Sequence, residues 1–167
     1  MIQSRLYKKD KYYRIYAGVC TQSGSRVVYS DDFGQTWSYL GGNSATPVSD
    51  GDECKVEELP DGSILLSTRS RSDLGRHFNV FKFTGIASAS GSWGSYATSS
   101  DRSTGTYASQ CNGEILLVPA KGADGKATYI LLQSAPASTD RTNMKIYWKV
   151  LPSDYTTPSN YVSGWTS

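Results

Sequence analysis

The eight residues Ser30–Trp37 constrain the fold more than any other part of the chain. They read Ser-Asp-Asp-Phe-Gly-Gln-Thr-Trp and follow the β-favouring run Arg26–Tyr29. Asp32 can accept hydrogen bonds from nearby backbone amides, and Gly34 can adopt the positive φ that a β-carbon disfavours. Trp37 can fold back as an apolar plug beneath the turn. The segment therefore predicts a β-hairpin whose turn is stabilised by its own side chains.

The rest of the chain alternates short β-favouring runs with turn signals such as Ser23-Gly24, Pro60-Asp61-Gly62 and Asp124-Gly125. No segment keeps a helical period over three turns, so the pattern predicts an all-β fold of about nine strands. The predicted strands are Gln3–Tyr7, Tyr13–Val19, Arg26–Tyr29, Cys54–Leu59, Ile64–Thr68, Phe78–Phe83, Gly113–Pro119, Tyr129–Gln133 and Met144–Val150.

The charge and the metal-binding residues exclude several classes of function. A net charge of +2 is too small to predict a nucleic-acid or membrane-surface partner. Cys20, Cys54, Cys111 and the single histidine His77 lack the spacing of a zinc site, so we predict no metal and no cofactor. The odd cysteine count argues against a disulfide framework, although one bridge plus a free thiol stays open.

No run of residues is long and apolar enough to predict a membrane span, and no signal peptide is visible. Met1 leads directly into strand-like sequence. We therefore expect either a cytosolic chain or one from which an upstream segment has been removed.

The turn segment matches the pattern S-x-D-x-G-x-T-W, known as an Asp-box. The matching residues are Ser30, Asp32, Gly34, Thr36 and Trp37. The chain thereby resembles the sialidase (neuraminidase) superfamily, in particular bacterial-type exo-α-sialidases with Asp-box (BNR) repeats. Asp-boxes lie on the rim of β-propeller blades, so the resemblance implies a structural and not a catalytic Asp32.

Sialidases of this family fold as six-bladed β-propellers, and one blade takes roughly 40–50 residues. The resemblance therefore implies that residues 1–167 form a partial propeller domain. We expect three to four blades, each an antiparallel four-stranded sheet. Nearly the whole chain resembles the family, but only its central part.

The segment from Asp52 to Arg69 is the first candidate for chemistry. Glu53 lies eight residues before Asp61, in the turn, and Arg69 lies eight residues after it. Antiparallel pairing then brings Glu53 and Arg69 to the same end of two neighbouring strands. The spacing alone fits a surface ion pair equally well. The segment resembles the one in which a sialidase carries its catalytic glutamate and a substrate arginine, which implies a general base at Glu53 and substrate binding by Arg69.

Two further glutamates lie close to the same turn. Glu57 and Glu58 are predicted on the flank of the strand, with one of them buried against the core.

The segment Leu131–Ile146 resembles the sialidase strand and loop that end in another substrate-binding arginine. The resemblance assigns that position to Arg141, and an ion pair involving Asp140 and Arg102 remains the alternative. Gln110 precedes a predicted strand where the family lines its pocket, which places it as a candidate contact to the sugar. Cys111 is expected to be a small buried side chain, and His77 to be structural.

Two arginines and a glutamate suit a sialic acid, which carries a carboxylate at its anomeric carbon. Guanidinium groups meet carboxylates with paired N–H donors. In this family a tyrosine attacks the sugar, because a carboxylate nucleophile would be repelled, and the phenol needs a base such as Glu53.

The family's remaining catalytic groups have no match here. Its first arginine and its acid/base aspartate are expected upstream of Ile2, and its tyrosine nucleophile beyond Trp165. We therefore assign no nucleophile and expect the isolated chain to be inactive. The resemblance implies that sialylated glycans are the partners and that the parent protein is secreted, periplasmic or on the cell surface. An open propeller would also self-associate through its unpaired strand edges.

Two other classes of function stay open. One is a non-catalytic Asp-box β-propeller that binds glycans or proteins, and the other is a β-sandwich lectin. A pure scaffold has no reason to bring Glu53, Arg69 and Arg141 together on one concave face, so their convergence distinguishes the sialidase hypothesis.

Overall fold

The computed structural model describes residues 1–72, 75–99, 111–138 and 140–167. Within these ranges the chain is all-β, as predicted, with one turn of 3₁₀ helix at Pro158–Tyr161 and no α-helix. The strands are β1 (Ile2–Lys9), β2 (Tyr12–Thr21), β3 (Gly24–Ser30), β4 (Ser38–Tyr39), β5 (Gly51–Glu58), β6 (Ile64–Ser70), β7 (Arg76–Gly85), β8 (Ser90–Trp93), β9 (Ala97–Ser99), β10 (Ile115–Lys121), β11 (Ala127–Pro136) and β12 (Met144–Val150).

The strands form three antiparallel sheets. The first sheet has the order β1-β2-β3-β4, and the second has the order β5-β6-β7-β8 with β9 paired to β7. The third sheet has the order β10-β11-β12 among the described residues. Each sheet follows the chain from neighbour to neighbour, as hairpins with short turns dictate. The expected four strands occur in the first sheet, whereas the second sheet gains the short strand β9.

The second sheet lies between the other two and is buried on both faces. Side chains alternate along a strand, so Ile64 and Leu66 face one neighbour while Leu65 faces the other. This explains why Ile64-Leu65-Leu66 is an unbroken apolar run instead of an alternating one. Towards the first sheet the core contains Tyr16, Val27, Leu40, Val48, Val56, Ile64, Leu66, Phe81 and Ala89. Towards the third sheet it contains Leu59, Leu65, Phe78, Val80, Ile115, Leu117, Leu131, Ala135, Tyr147, Tyr161 and Trp165.

Two buried carboxylates tie all three sheets together. Glu58 accepts hydrogen bonds from the Ser4 hydroxyl and the Arg5 backbone amide, both at 2.5 Å. Glu57 accepts from Arg5 Nη2 at 2.8 Å and from the Leu117 amide of β10 at 3.1 Å. Both glutamates are buried, whereas the sequence predicted only one buried carboxylate. Burial raises the pKa of Glu57, which these hydrogen bonds and the charge of Arg5 oppose.

The Ser30–Trp37 turn is held by its own polar groups. Asp32 accepts hydrogen bonds from the Thr36 amide at 2.8 Å and the Thr36 hydroxyl at 2.6 Å. These bonds, with one from Ser30, lower the pKa of Asp32 to about 2. Trp37 is not the predicted plug, because 42% of it is exposed and its ring N–H donates to the Gly34 carbonyl. The ring therefore closes the turn by a hydrogen bond and not by burial.

Cys20, Cys54 and Cys111 are all free thiols, so the alternative of one disulfide is wrong. In the described part of the chain, no helix has the length and apolarity needed to cross a membrane. Nor do those residues bring three or more His, Cys, Asp or Glu side chains into an arrangement that could hold a metal ion.

Candidate functional site

The functional candidates lie at one end of the sheets, here called the upper end. It comprises the start of β5, the end of β6, the segment 111–113 and the described residues 137–138 and 140–143 between β11 and β12. The pairing of Gly51 with Ser70 marks this end of the second sheet. The Ser30–Trp37 turn and the Pro60–Gly62 turn lie at the opposite, lower end. The candidate site is therefore assembled from strand ends and connections of two neighbouring sheets.

Glu53 and Arg69 meet at the upper end, as the hairpin spacing predicts. Arg69 Nε lies 3.0 Å from a Glu53 carboxylate oxygen, and Arg69 Nη2 donates to Asp52 Oδ2 at 2.7 Å. The Nε–H bond does not point along the line to Glu53, so that contact is an ion pair and not an aligned hydrogen bond. One guanidinium is thus held between two carboxylates from consecutive residues.

A β-bulge explains how consecutive residues reach the same arginine. Gly51 pairs with Ser70 and Cys54 pairs with Thr68, so β5 contains one residue more than β6 over this stretch. In a regular strand, Asp52 and Glu53 would point to opposite faces. A bulge bends the strand and redirects side chains, and bulges are frequent next to functional sites.

The carboxylates at this end remain accessible to solvent. The Glu53 side chain is 45% exposed, and among the described residues none donates a hydrogen bond to its Oε1. Asp52 is more enclosed. A hydrogen bond from the Cys20 thiol lowers the pKa of Asp52, as do the charges of Arg69 and Arg71, against the effect of partial burial. Asp52 therefore orients Arg69, while Glu53 retains capacity for another partner.

Arg76, which the sequence did not single out, lies directly behind this pair. It pairs with Arg69 across the strands and is fully buried. Its guanidinium donates to the Ser67 hydroxyl at 3.0 and 3.1 Å and to the Cys111 carbonyl at 3.2 Å. Burial lowers the pKa of Arg76 to about 10. Arg76 thereby anchors the segment that leads into β10 against the second sheet, at the level of the candidate site.

Arg141 lies in the β11–β12 connection, in a left-handed conformation with a φ of 64°. Arg69 is the last residue but one of β6, and Arg141 lies in the connection that follows β11, so both arginines are near the ends of strands at the upper end of neighbouring sheets. Arg76 and an ion pair of 3.3 Å between Lys55 and Glu114 join those sheets near this end. The structure therefore places Arg141 at the same end as Glu53 and not at the opposite one.

Gln110 lies outside the described residues, as does Arg102, which the sequence offered with Asp140 as the ion-pair alternative.

His77 is buried in a polar network on the other face of the second sheet. Its ring nitrogens lie 3.0 Å from Asp50 and 2.9 Å from the Thr98 hydroxyl. Burial would raise the pKa of Asp50, but hydrogen bonds from Ser70, Ser72 and His77 outweigh it and lower that pKa to about 2.

Gln133 is a second residue that the sequence did not reveal. It is fully buried on the face of the third sheet that meets the second sheet, between Ile115 and Tyr147. In the described part of the chain neither of its side-chain amide atoms has a hydrogen-bond partner. An unpaired buried amide costs stability.

No protein-family model matches the chain. The upper end presents a guanidinium held in a fixed orientation, an accessible carboxylate beside it, and a further arginine on the neighbouring sheet. Such a set can bind a carboxylate ligand through arginine and can accept a proton at Glu53.

Proposed function

We propose that this chain is the central part of a retaining exo-α-sialidase, which hydrolyses terminal sialic acids from glycoconjugates. Arg69 and Arg141 bind the sialic acid carboxylate, and Glu53 is the general base for a tyrosine nucleophile supplied by the parent protein. The observation that carries the proposal is the bulge at Gly51–Cys54, which sets Asp52 and Glu53 on one guanidinium at the open end of the sheets.

The different contacts and exposure of Asp52 and Glu53 support these roles. Asp52 makes the shorter contact to Arg69 and is itself held by the Cys20 thiol at 2.9 Å. It therefore keeps the guanidinium oriented before the substrate arrives, which reduces the entropy lost on binding. Glu53 is the more exposed of the two. Its position fits a base that receives a proton from a group on the solvent side.

The stacking of the sheets supports a β-propeller. Three antiparallel meanders pack face to face in chain order, and the Ser30–Trp37 turn lies at the end away from the candidate site, as an Asp-box on a blade rim would. The outer face of the third sheet is largely apolar, with Glu114 at its upper edge. It carries Leu116, Val118, Ile130, Leu132, Ser134, Ile146, Trp148 and Val150.

Part of this outer face is strongly exposed, with Ile146 at 66% and Val150 at 53%. A contiguous apolar surface of this kind is stable when another surface covers it. A further blade would do so in the parent propeller. For the 167-residue chain alone, the same face and the open strand edges favour self-association. The proposed partners are sialylated glycans, which implies a secreted, periplasmic or cell-surface parent protein.

Binding to the 167-residue chain tests the proposal without requiring turnover. Free N-acetylneuraminic acid is titrated and followed by saturation-transfer NMR. We expect weak binding that falls about tenfold in Arg69→Lys, because lysine cannot donate two parallel hydrogen bonds to a carboxylate. Arg26→Lys, on the first sheet, is the matched control and should bind as the original chain does. Equal binding by the original chain and Arg69→Lys would refute the role of Arg69.

Hydrolysis provides the second test. We expect the 167-residue chain to release no fluorophore from a fluorogenic sialoside above background, and the full-length gene product to do so. Robust turnover by the short chain would show that its catalytic residues have been assigned wrongly. A folded chain without any affinity for sialic acid would favour the non-catalytic propeller instead.

A further inference from the structure

A cavity of about 450 Å³ opens at the lower end of the first sheet, away from Glu53 and Arg69. Its volume lies within the range of small-molecule sites. The β1–β2 turn and the Ser30–Trp37 turn form its walls. Its lining residues are Lys9, Asp10, Lys11, Tyr12, Asp31, Asp32 and Thr36.

Phe33 lies next to this cavity and has a backbone conformation that is unusual for a bulky side chain. Its φ is 62°, a left-handed conformation that is strained for a bulky side chain, and the next residue, Gly34, has a φ of 88°. The turn thus requires two successive positive φ angles, for which glycine would be the unstrained choice at both positions. Phe33 is also 66% exposed, so its ring gains little from burial. Strained residues of this kind are concentrated at ligand sites.

The ring of Phe33 stacks on Tyr12, which lines the cavity. The two ring centroids lie 5.5 Å apart with an interplanar angle of 26°. Lys11 Nζ lies 5.0 Å from the centre of the Tyr12 ring. Tyr12 therefore supports the ring of Phe33 from behind, and Phe33 presents an aromatic surface to solvent beside the cavity. The apolar C–H face of a pyranose ring packs against aromatic surfaces of this shape.

The charges around the cavity balance. Arg14 neutralises Asp31 through hydrogen bonds of 2.7 and 2.8 Å. Two cations and two anions remain on the lining, and they sum to zero. They are Lys9, Lys11, Asp10 and Asp32. A balanced lining offers donors and acceptors together, as sugar hydroxyls require, and gives no net attraction to an anionic ligand.

From these observations we infer that the lower end is a second carbohydrate site, which takes a neutral pyranose on Phe33 with its hydroxyls directed to Lys9, Lys11 and Asp10. The site does not depend on the chemistry at Glu53 and Arg69. On a densely glycosylated surface it would add a second point of attachment to the same protein, and two weak contacts raise the overall affinity.

The test is a titration of the ¹⁵N-labelled chain with lactose and with maltose, followed by amide chemical shifts. We expect millimolar binding, with shifts confined to residues 9–12 and 31–36. Phe33→Gly should lower the affinity at least tenfold without lowering Tm, because glycine relieves the left-handed strain. Phe33→Trp should restore binding, since it retains an aromatic face. Arg69→Lys should leave the lactose and maltose affinities unchanged, which separates this site from the proposed sialidase site.

Three outcomes would overturn the inference. The first is that neither disaccharide shifts the amides of the two turns. The second is that Phe33→Gly binds the disaccharides as tightly as the original chain does. The third is that Phe33→Gly lowers Tm and Phe33→Trp restores Tm but not binding, which would make the ring purely structural.

Discussion

Strand β5 carries a cluster of two carboxylates and one arginine at each of its ends. The two clusters have the same kinds of residue but differ in burial and in hydrogen bonding. At the lower end Glu57 and Glu58 are buried and receive hydrogen bonds from two other strands, β1 and β10, with Arg5 as the cation. At the upper end, Asp52 and Glu53 share Arg69 and stay partly exposed.

The two clusters differ in how far the oxygens of their carboxylates are buried and hydrogen-bonded. The lower carboxylates have their oxygens occupied by Ser4, Arg5 and Leu117. They hold the sheets together and leave nothing for a ligand. The upper pair is in contact with solvent, and such pairs add little to stability. Burial and saturation of hydrogen bonds, more than residue type, therefore distinguish the two ends.

Replacing the Glu57 carboxyl group with an amide should have the largest effect. In Glu57→Gln one oxygen becomes an NH₂ donor, which must face either the Arg5 guanidinium or the Leu117 amide at a buried site. We expect the free energy of unfolding to fall by about 2 to 3 kcal/mol in urea titrations. The matched change Glu53→Gln at the upper end should cost less than about 1 kcal/mol. Equal losses at the two ends would contradict the comparison.

Replacing Arg76 should rank second. Arg76→Leu leaves the Ser67 hydroxyl and the Cys111 and Gly113 carbonyls without their donor. We expect a loss of about 2 kcal/mol in the free energy of unfolding. Arg69→Leu, one strand away and partly exposed, is the control and should cost less than half as much. A larger loss of stability in Arg69→Leu than in Arg76→Leu would show that the structural role belongs to Arg69 and not to Arg76.

The two ends should also respond to pH in opposite directions. Asp50, at the upper end, has a folded pKa of about 2, below its value of 3.8 in the unfolded chain. Its stabilising contribution is present above pH 4 and is lost as the pH falls towards 2. Burial raises the folded pKa of Glu57 above its value of 4.5 in the unfolded chain, so ionisation of Glu57 lowers stability as the pH rises above that value.

Urea midpoints between pH 2 and 6 measure these contributions. Asp50→Asn should flatten the fall in stability below pH 4, while Glu57→Gln should leave that acid limb unchanged. An acid limb that is identical in the original chain and in Asp50→Asn would exclude Asp50 as its source.

Replacing Gln133 should have the smallest effect, and it should raise the free energy of unfolding where the other changes lower it. Its buried amide has no partner among the described residues, so Gln133→Leu should raise the free energy of unfolding by about 1 kcal/mol. Ser134→Ala, one residue away on the outer face, is the control for a change in the same strand. A loss of stability in Gln133→Leu would mean that the amide has a hydrogen-bonded role.

Much of the fold follows from the sequence. All nine predicted strands are present, and Met144–Val150 has the predicted bounds. The strands that the sequence did not predict, β4, β8 and β9, have two to four residues and few apolar side chains. Such strands form because the backbone of a neighbouring strand is available for hydrogen bonding. This is a tertiary effect, which the local sequence pattern does not reveal.

The candidate site was only partly predictable. The symmetric spacing around Asp61 predicts the contact of Glu53 with Arg69, but the bulge that adds Asp52 depends on the register of the sheet. Arg76 is the first residue of β7, and its guanidinium donates to the Cys111 and Gly113 carbonyls of the segment that leads into the next sheet. Contacts between sheets of this kind are not encoded in local spacing.

Of the two ends of β5, we expect the upper end to bind sialic acid and the lower end not to. Amide chemical shifts of the ¹⁵N-labelled chain, followed during a titration with N-acetylneuraminic acid, distinguish the two ends. We expect saturable shifts at residues 52–54, 69–70 and 140–143, with those of residues 4–6 and 57–59 unchanged. Shifts confined to the lower end, or none in the folded chain, would show that the upper end is not the sialic acid site.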